Sequence, residues 1–125
     1  MTDWNRYQLS GLLETLESGS RPKGGVRQFE GGIPSIGGEH IDRTGGFDFT
    51  EIKYVPEDFY RKLKRGRIEF GDILLVKDGA TTGKVALVTE DFPFAEATVN
   101  EHVFIVRPKE NQISSEYLFY FMYSS

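Results

Sequence analysis

The stretch "LLVKDGATTGKVALV" (Leu74–Val88) decides how this chain is read. Two apolar, β-branched runs flank a glycine-rich loop that carries a lysine directly after a glycine. A phosphate cradle and a β-hairpin both have that outline. The cradle requires G-x-x-x-x-G-K followed by Ser or Thr, placed between a strand and a helix. Here three residues separate Gly79 from Gly83, and Val85 follows Lys84. The continuation "KVALVTE" has a strand pattern, so no helix N-terminus faces a phosphate. The hairpin meets no such objection, and Asp78-Gly79 is a strong turn signal. Ile73–Lys77 and Lys84–Thr89 are therefore expected to be two buried strands. Their connection presents Thr81, Thr82 and Lys84, groups suited to phosphates or base edges. A plain polar hairpin tip is the simpler alternative.

Working outward, "HVFIVR" (His102–Arg107) reads as a further strand ended by Pro108, and Phe94–Asn100 alternates loosely. "PEDFYRKLKRG" (Pro56–Gly66) is punctuated as a helix, with Pro56 at its first position, acidic residues in its first turn and Gly66 as its stop. Phe59 and Leu63 should face the core, with Tyr60 at the margin. "GGIPSIGGEHI" (Gly31–Ile41) contains a proline, which predicts an edge strand or an irregular loop. "DRTGGFDFTEIKYV" (Asp42–Val55) reads as a turn-rich connection. Leu9, Leu12, Leu13 and Leu16 recur at helical spacing, which predicts a short amphipathic helix near the start. Ser114 and Ser115 should cap a last helix, "EYLFYFMYSS". That helix is apolar on all sides, so it either plugs the core or begins a longer element.

The composition sets limits on function. The chain has 125 residues, one domain's worth, with 14 glycines, five prolines and no cysteine. A thiolate zinc site and a disulfide framework are thus excluded. The longest apolar run, Tyr117–Tyr123, falls short of the roughly 20 residues that cross a bilayer. No leader pattern is evident, so a soluble cytoplasmic protein is expected. The net charge of −4 does not suggest a nucleic-acid binder. The charge is unevenly spread, however: residues 21–67 are net basic and residues 86–125 net acidic.

Several segments, in order, resemble the target-recognition domain of the specificity subunit of type I restriction–modification systems. They are "LESGSRPKGGV", "GGIPSIGGEHI", "YVPEDFYRKLKRGRIEFGDILLVKDGATTGKVALV", "TVNEHVFIVRP" and "SSEYLFYFMYSS". The run "GDILLVKDG" followed by "GKVALV" is the most specific. The chain departs from many relatives at "NEH" (Asn100–His102), where they have Asn-Gln. The resemblance implies an α+β fold, a twisted mixed or antiparallel sheet with short helices and long glycine-rich loops. It implies residues 1–113 as a DNA-reading domain and 114–125 as the start of a spacer helix. It also implies sequence-specific recognition of double-stranded DNA, one half of a bipartite target, without catalysis in this chain. S-adenosylmethionine, ATP and magnesium would belong to methyltransferase and restriction subunits. A second target-recognition domain, or a second copy of the chain, would read the other half.

Groove reading needs forked or long polar donors on loops, and cations for phosphates. The candidates are Arg21, Lys23 and Arg27 in the first glycine-rich region, and His40 and Arg43 after "GGIPSIGG". Lys77, Thr81, Thr82 and Lys84 follow at the hairpin, and Arg61, Lys64 and Arg65 on the basic helix, whose run continues to Arg67. Each has a plain alternative as a solvated charge. Two other functions stay open. One is a protein-interaction module acting through the aromatic C-terminal helix. The other is a small metal- or phosphate-dependent enzyme, suggested by the dipeptides Glu39-His40 and Glu101-His102. The latter would need its two histidines to converge, because adjacent residues in a strand point to opposite faces.

Overall fold

The computed structural model describes residues 13–23, 31–77, 83–109, 111 and 113–124. The fold is α+β, with two sheets where the sequence suggested one. The larger sheet has the order β1 (Leu13–Ser18), β7 (Val103–Pro108), β4 (Ile73–Val76), β5 (Val85–Leu87), and all its neighbours are antiparallel. The smaller has the order β3 (Lys53–Val55), β2 (Ile33–Ile36), β6 (Thr98–Val99), with β2 antiparallel to β3 and parallel to β6.

The expected hairpin is present. Leu74 pairs with Ala86 and Leu75 with Val85. Beyond the strands, the Val76 amide donates to the Lys84 carbonyl at 3.0 Å and the Gly83 amide to the Val76 carbonyl at 3.2 Å. Gly83 takes φ +100° at this point, a value glycine reaches without a Cβ penalty.

The continuous apolar runs have a direct explanation: the larger sheet is covered on both faces. Successive residues point to opposite sides. Leu74, Val76, Ala86, Val103 and Ile105 enter a core shared with Ile36 and Val99 of the smaller sheet. Their neighbours Ile73, Val85 and Val106 enter a second core closed by Leu118. Leu118 lies on the terminal helix α2 (Ser115–Tyr123), whose N-cap Ser114 accepts the Tyr117 amide at 3.2 Å. The helix is therefore a cover for the sheet, with Tyr117 and Tyr120 left exposed. Phe47, Phe49, Phe92 and Phe94 close the shared core with edge-to-face and stacked contacts, ring centroids 5.0–5.8 Å apart.

Three expectations are corrected. Leu13 and Leu16 lie on a strand, not a helix; Leu9 and Leu12 fall outside the described residues. Four leucines are too few to separate the two periods, and the open edge of β7 supplies pairing that a lone short helix lacks. A register irregularity between Leu13 and Thr15 lets Leu13 pack in the second core, while Leu16 stays exposed.

Pro34 sits on the central strand of the smaller sheet, not on an edge. It pairs opposite Tyr54, and β6 reaches only Ser35 and Ile36, so the proline lies where one side of the strand has no neighbour.

The helix after Pro56 is only α1 (Glu57–Arg61), and Pro56 is its cap rather than its first residue. It stops early because the chain must return to the sheet. The Gly66 carbonyl accepts the Val99 amide at 3.0 Å, and the Ile68 amide donates to Ala97 at 2.9 Å. Phe59 and Leu63 pack partly buried against the cluster of Ile33 and Val55, as expected, and Tyr60, expected at the margin, is the buried member.

Candidate nucleic-acid interface

Four chain connections meet at one end of the two sheets, and backbone hydrogen bonds hold them there. The Gly19 amide, just past β1, donates to the Asn100 carbonyl at 3.2 Å. The Asn100 amide donates to Ile36 at the end of β2 at 3.0 Å, and the Lys77 amide, at the end of β4, to His102 at 3.1 Å. The approach at Gly19 is so close that a methyl there would lie 1.7 Å from the Val99 carbonyl oxygen. The fourth tie is a side chain: Lys84 Nζ donates to the Gly38 carbonyl at 2.7 Å. That bond joins the hairpin to the 3-10 turn Gly38–His40.

These connections enclose a cleft of about 160 Å³ lined by Arg21, Glu39, His40, Lys53, Glu101 and His102, among others. Arg21 Nε pairs with Glu101 Oε2 at 2.9 Å, and Lys53 Nζ with Glu39 Oε2 at 2.8 Å. Burial alone would raise the Glu39 carboxyl. The Lys53 hydrogen bond and the other contacts outweigh it and leave Glu39 below the usual carboxylate range.

The residues singled out from sequence divide into three groups. Arg21, His40, Lys77 and Lys84 stand at or beside this end, and Lys23 is exposed two residues after Arg21. Lys77 lies over the Phe104 ring, 4.6 Å from its centroid. Arg43 is exposed on the turn after the 3-10 segment.

His40 is a correction, because it is buried. Its Nδ1 accepts the Gly37 amide at 2.9 Å, so Nε2 carries the proton and donates to the Glu51 carbonyl at 3.0 Å. Both ring nitrogens thus brace the turn, and neither is offered to a base.

Arg61, Lys64 and Arg65 do not line the cleft, although the chain after Arg65 returns at Gly66 to lie against Gly19. Helix α1 packs on Ile33, at the start of β2, and the cleft lies past its end. Arg61 is held by Glu57, at 3.2 Å, and by both carboxylate oxygens of Glu96. Lys64 and Arg65 are exposed. Arg27, Thr81 and Thr82 lie outside the described residues.

Sequence reasoning missed Lys53, Glu39, Asn100 and Glu101 as members of one site. The two Glu-His dipeptides carried the signal, and they do converge on this cleft. They do not make a metal centre. His40 is spent on backbone, both glutamates are paired with cations, and no metal-holding group of His, Cys, Asp or Glu occurs among the described residues.

An unpredicted buried pair lies elsewhere. Asp72 is fully buried, and Arg107 grips it through Nε at 2.7 Å and Nη2 at 3.0 Å. The Glu69 amide adds a third bond to Asp72, at 2.7 Å. This pair fixes the turn into β4 and has no part in the cleft.

Residues 1–125 match the family described as the type I restriction modification DNA specificity domain. The chain belongs to that family. The family's description is that of a DNA specificity domain of type I restriction–modification systems. Solved structures agree on the fold. The specificity domain superposes on the HsdS subunit from Thermoanaerobacter tengcongensis with a TM-score of 0.63 at 14% identity, over 92% of this chain and 26% of that one. A chain from a structure describing complex assembly and conformational transition of the type I R-M system gives 0.63 and 14%, over 91% and 25%. The specificity domain thus spans about a quarter of the length of these solved chains. No curated protein matches it. Among the described residues, no helix is long and apolar enough to cross a membrane.

Proposed function

We propose that this domain reads one short half of a bipartite duplex target, and that it does so with the loop end formed by the β4–β5 hairpin, the 3-10 turn and the β6–β7 turn. The observation that carries the reading is the convergence of Arg21, Lys77 and Lys84 at that one end, on a frame tied by backbone bonds. Loops rooted in this way present donors to the major groove, and the cations take phosphates. Arg27, Arg43, Thr81 and Thr82 belong to the same reading. Arg61, on the helix packed at the other end of β2, and Lys64 and Arg65, exposed just before Gly66, would meet only flanking backbone.

In this reading residues 1–113 are the recognition domain and 114–125 begin a spacer helix. The partners are methyltransferase and restriction subunits, in the cytoplasm, and a second recognition domain or second copy of the chain. S-adenosylmethionine, ATP and magnesium serve those partners and not this chain. One half-site gives low affinity alone, because each correct base pair contributes about 1–3 kcal/mol of discrimination. Linkage to a second domain supplies the rest.

The test is selection from a randomised duplex library with the domain displayed densely on beads. Enrichment of one short motif is expected. Binding without enrichment would remove base readout from this chain, and no binding would remove DNA contact altogether. Lys84→Ala should weaken binding to all duplexes and lower the salt slope by about one.

A further inference from the structure

Three cations at the reading end are held within the protein. Arg21 is paired with Glu101, Lys53 with Glu39, and Lys84 with a backbone carbonyl. Both glutamates line the same cleft as their partners. The side chains stay accessible, 58% for Arg21 and 35% for Lys53, so either cation can turn toward a ligand. Ion pairs this exposed stabilise a fold little. Glu101 in particular braces nothing else through its second carboxylate oxygen. That atom, Oε1, is enclosed and has no hydrogen-bond partner among the described residues.

We propose that Glu39 and Glu101 are specificity-determining residues that act by holding the interface cations in competition with DNA phosphates. The inference rests on the DNA-reading function assigned above. A phosphate that takes Arg21 from Glu101 replaces one anion by another, so the exchange is nearly neutral and leaves a carboxylate facing the duplex. Sequence-independent binding, which comes almost wholly from phosphate neutralisation, is thereby suppressed. Correct base contacts then carry the balance in favour of binding. The two carboxylates make wrong sequences poorer ligands and leave the right one to be recognised by its bases, a repulsive element of the kind that specificity commonly requires.

The experiment uses the full chain displayed on beads and a fluorescent duplex of random sequence, with binding followed against salt concentration. Glu101→Gln and Glu39→Gln remove the competing charge at nearly constant size. Glu116→Gln, on α2, changes the net charge equally at a residue that does not line the cleft. Each cleft variant is expected to bind the random duplex about three- to tenfold more tightly at low salt, with a slope steeper by about one. The advantage of a selected motif over the random duplex should shrink by a similar factor. Glu116→Gln should leave the slope unchanged, and melting temperatures should barely move. Unchanged slopes in both cleft variants would overturn the proposal, as would an equal effect from Glu116→Gln, which would make the effect one of bulk charge. These failures differ from failure of the underlying reading, in which the unaltered chain would bind no duplex at any salt concentration.

Discussion

Asp72→Ala is the sharpest test of how the fold is held. The carboxylate has no exposure to solvent and accepts three hydrogen bonds, two from Arg107 and one from the Glu69 amide. Removing one partner of a buried pair destabilises by about 3–5 kcal/mol. Arg107 retains Glu69 at 3.6 Å and some exposure, 20%, so it is partly resolvated when Asp72 is lost. The expected loss is therefore at the lower end, about 3 kcal/mol, out of a total of about 5–15 kcal/mol for a domain of this kind. Arg107→Met should be comparably damaging at neutral pH, because it leaves the carboxylate buried without a counter-charge. Burial already pushes the Asp72 carboxyl upward, even against the Arg107 hydrogen bond. A folded-state acid that holds its proton more tightly than the unfolded chain gains stability as pH falls. The Arg107→Met deficit should therefore narrow on acidification toward about pH 4, where carboxyls take up protons. Urea unfolding of both single variants and the double variant closes the cycle, with an expected coupling of about 1.5–3 kcal/mol. A loss under about 1 kcal/mol for Asp72→Ala, or strict additivity, would refute the reasoning.

Gly19→Ala should cost about 3 kcal/mol and loosen the β1 end from Asn100, read by urea unfolding and amide exchange, because the added methyl meets backbone that has nowhere to move. Leu118→Ala should cost about 2–5 kcal/mol and expose α2 to proteolysis before the sheets unfold. The Gly46 amide, then the Thr44 hydroxyl, hold the Asp42 carboxyl below its ordinary value of 3.8 against a small opposing effect of burial. That depressed value stabilises the turn fully above the ordinary pKa, and the stabilisation is lost as pH falls through the lower folded-state value. The protection of the Gly46 amide, relative to its intrinsic exchange rate, should fall in acid, and Asp42→Asn should flatten that dependence.

The parts legible in sequence were those written in local pattern. The hairpin was legible because β-branched runs flank Asp78-Gly79, and the strand before Pro108 because its apolar run is unbroken. The Ser114 cap was legible because a serine precedes an apolar helix. What was not legible depends on distant partners. Leu13 and Leu16 satisfy helical spacing but are claimed by β7, some ninety residues on in the chain. Pro34 looks like an edge residue until the short reach of β6 is known. The basic run from Arg61 reads as one face, yet Arg61 belongs to Glu96, and α1 ends before Lys64. In the cleft, the cations and the two Glu-His dipeptides are conspicuous in sequence, but which carboxylate holds which cation is not, because Arg21 and Glu101 meet only in the folded chain.

The pairing of β1 with β7 has a consequence for how the chain acquires its structure. Leu13 lies opposite Pro108 and Ser18 opposite Phe104, so an inner strand of the larger sheet is synthesised some ninety residues after the neighbour it must pair with. The β4–β5 hairpin closes locally and quickly, on the microsecond scale. The rest of the sheet waits for Val103–Pro108 to leave the ribosome, because those residues bridge the hairpin to β1. Such distant pairing bears the full entropy of closing a long loop before it gains any contact. Until that moment the chain carries an open-edged hairpin with both apolar faces bare, and it is then that assembly competes with aggregation.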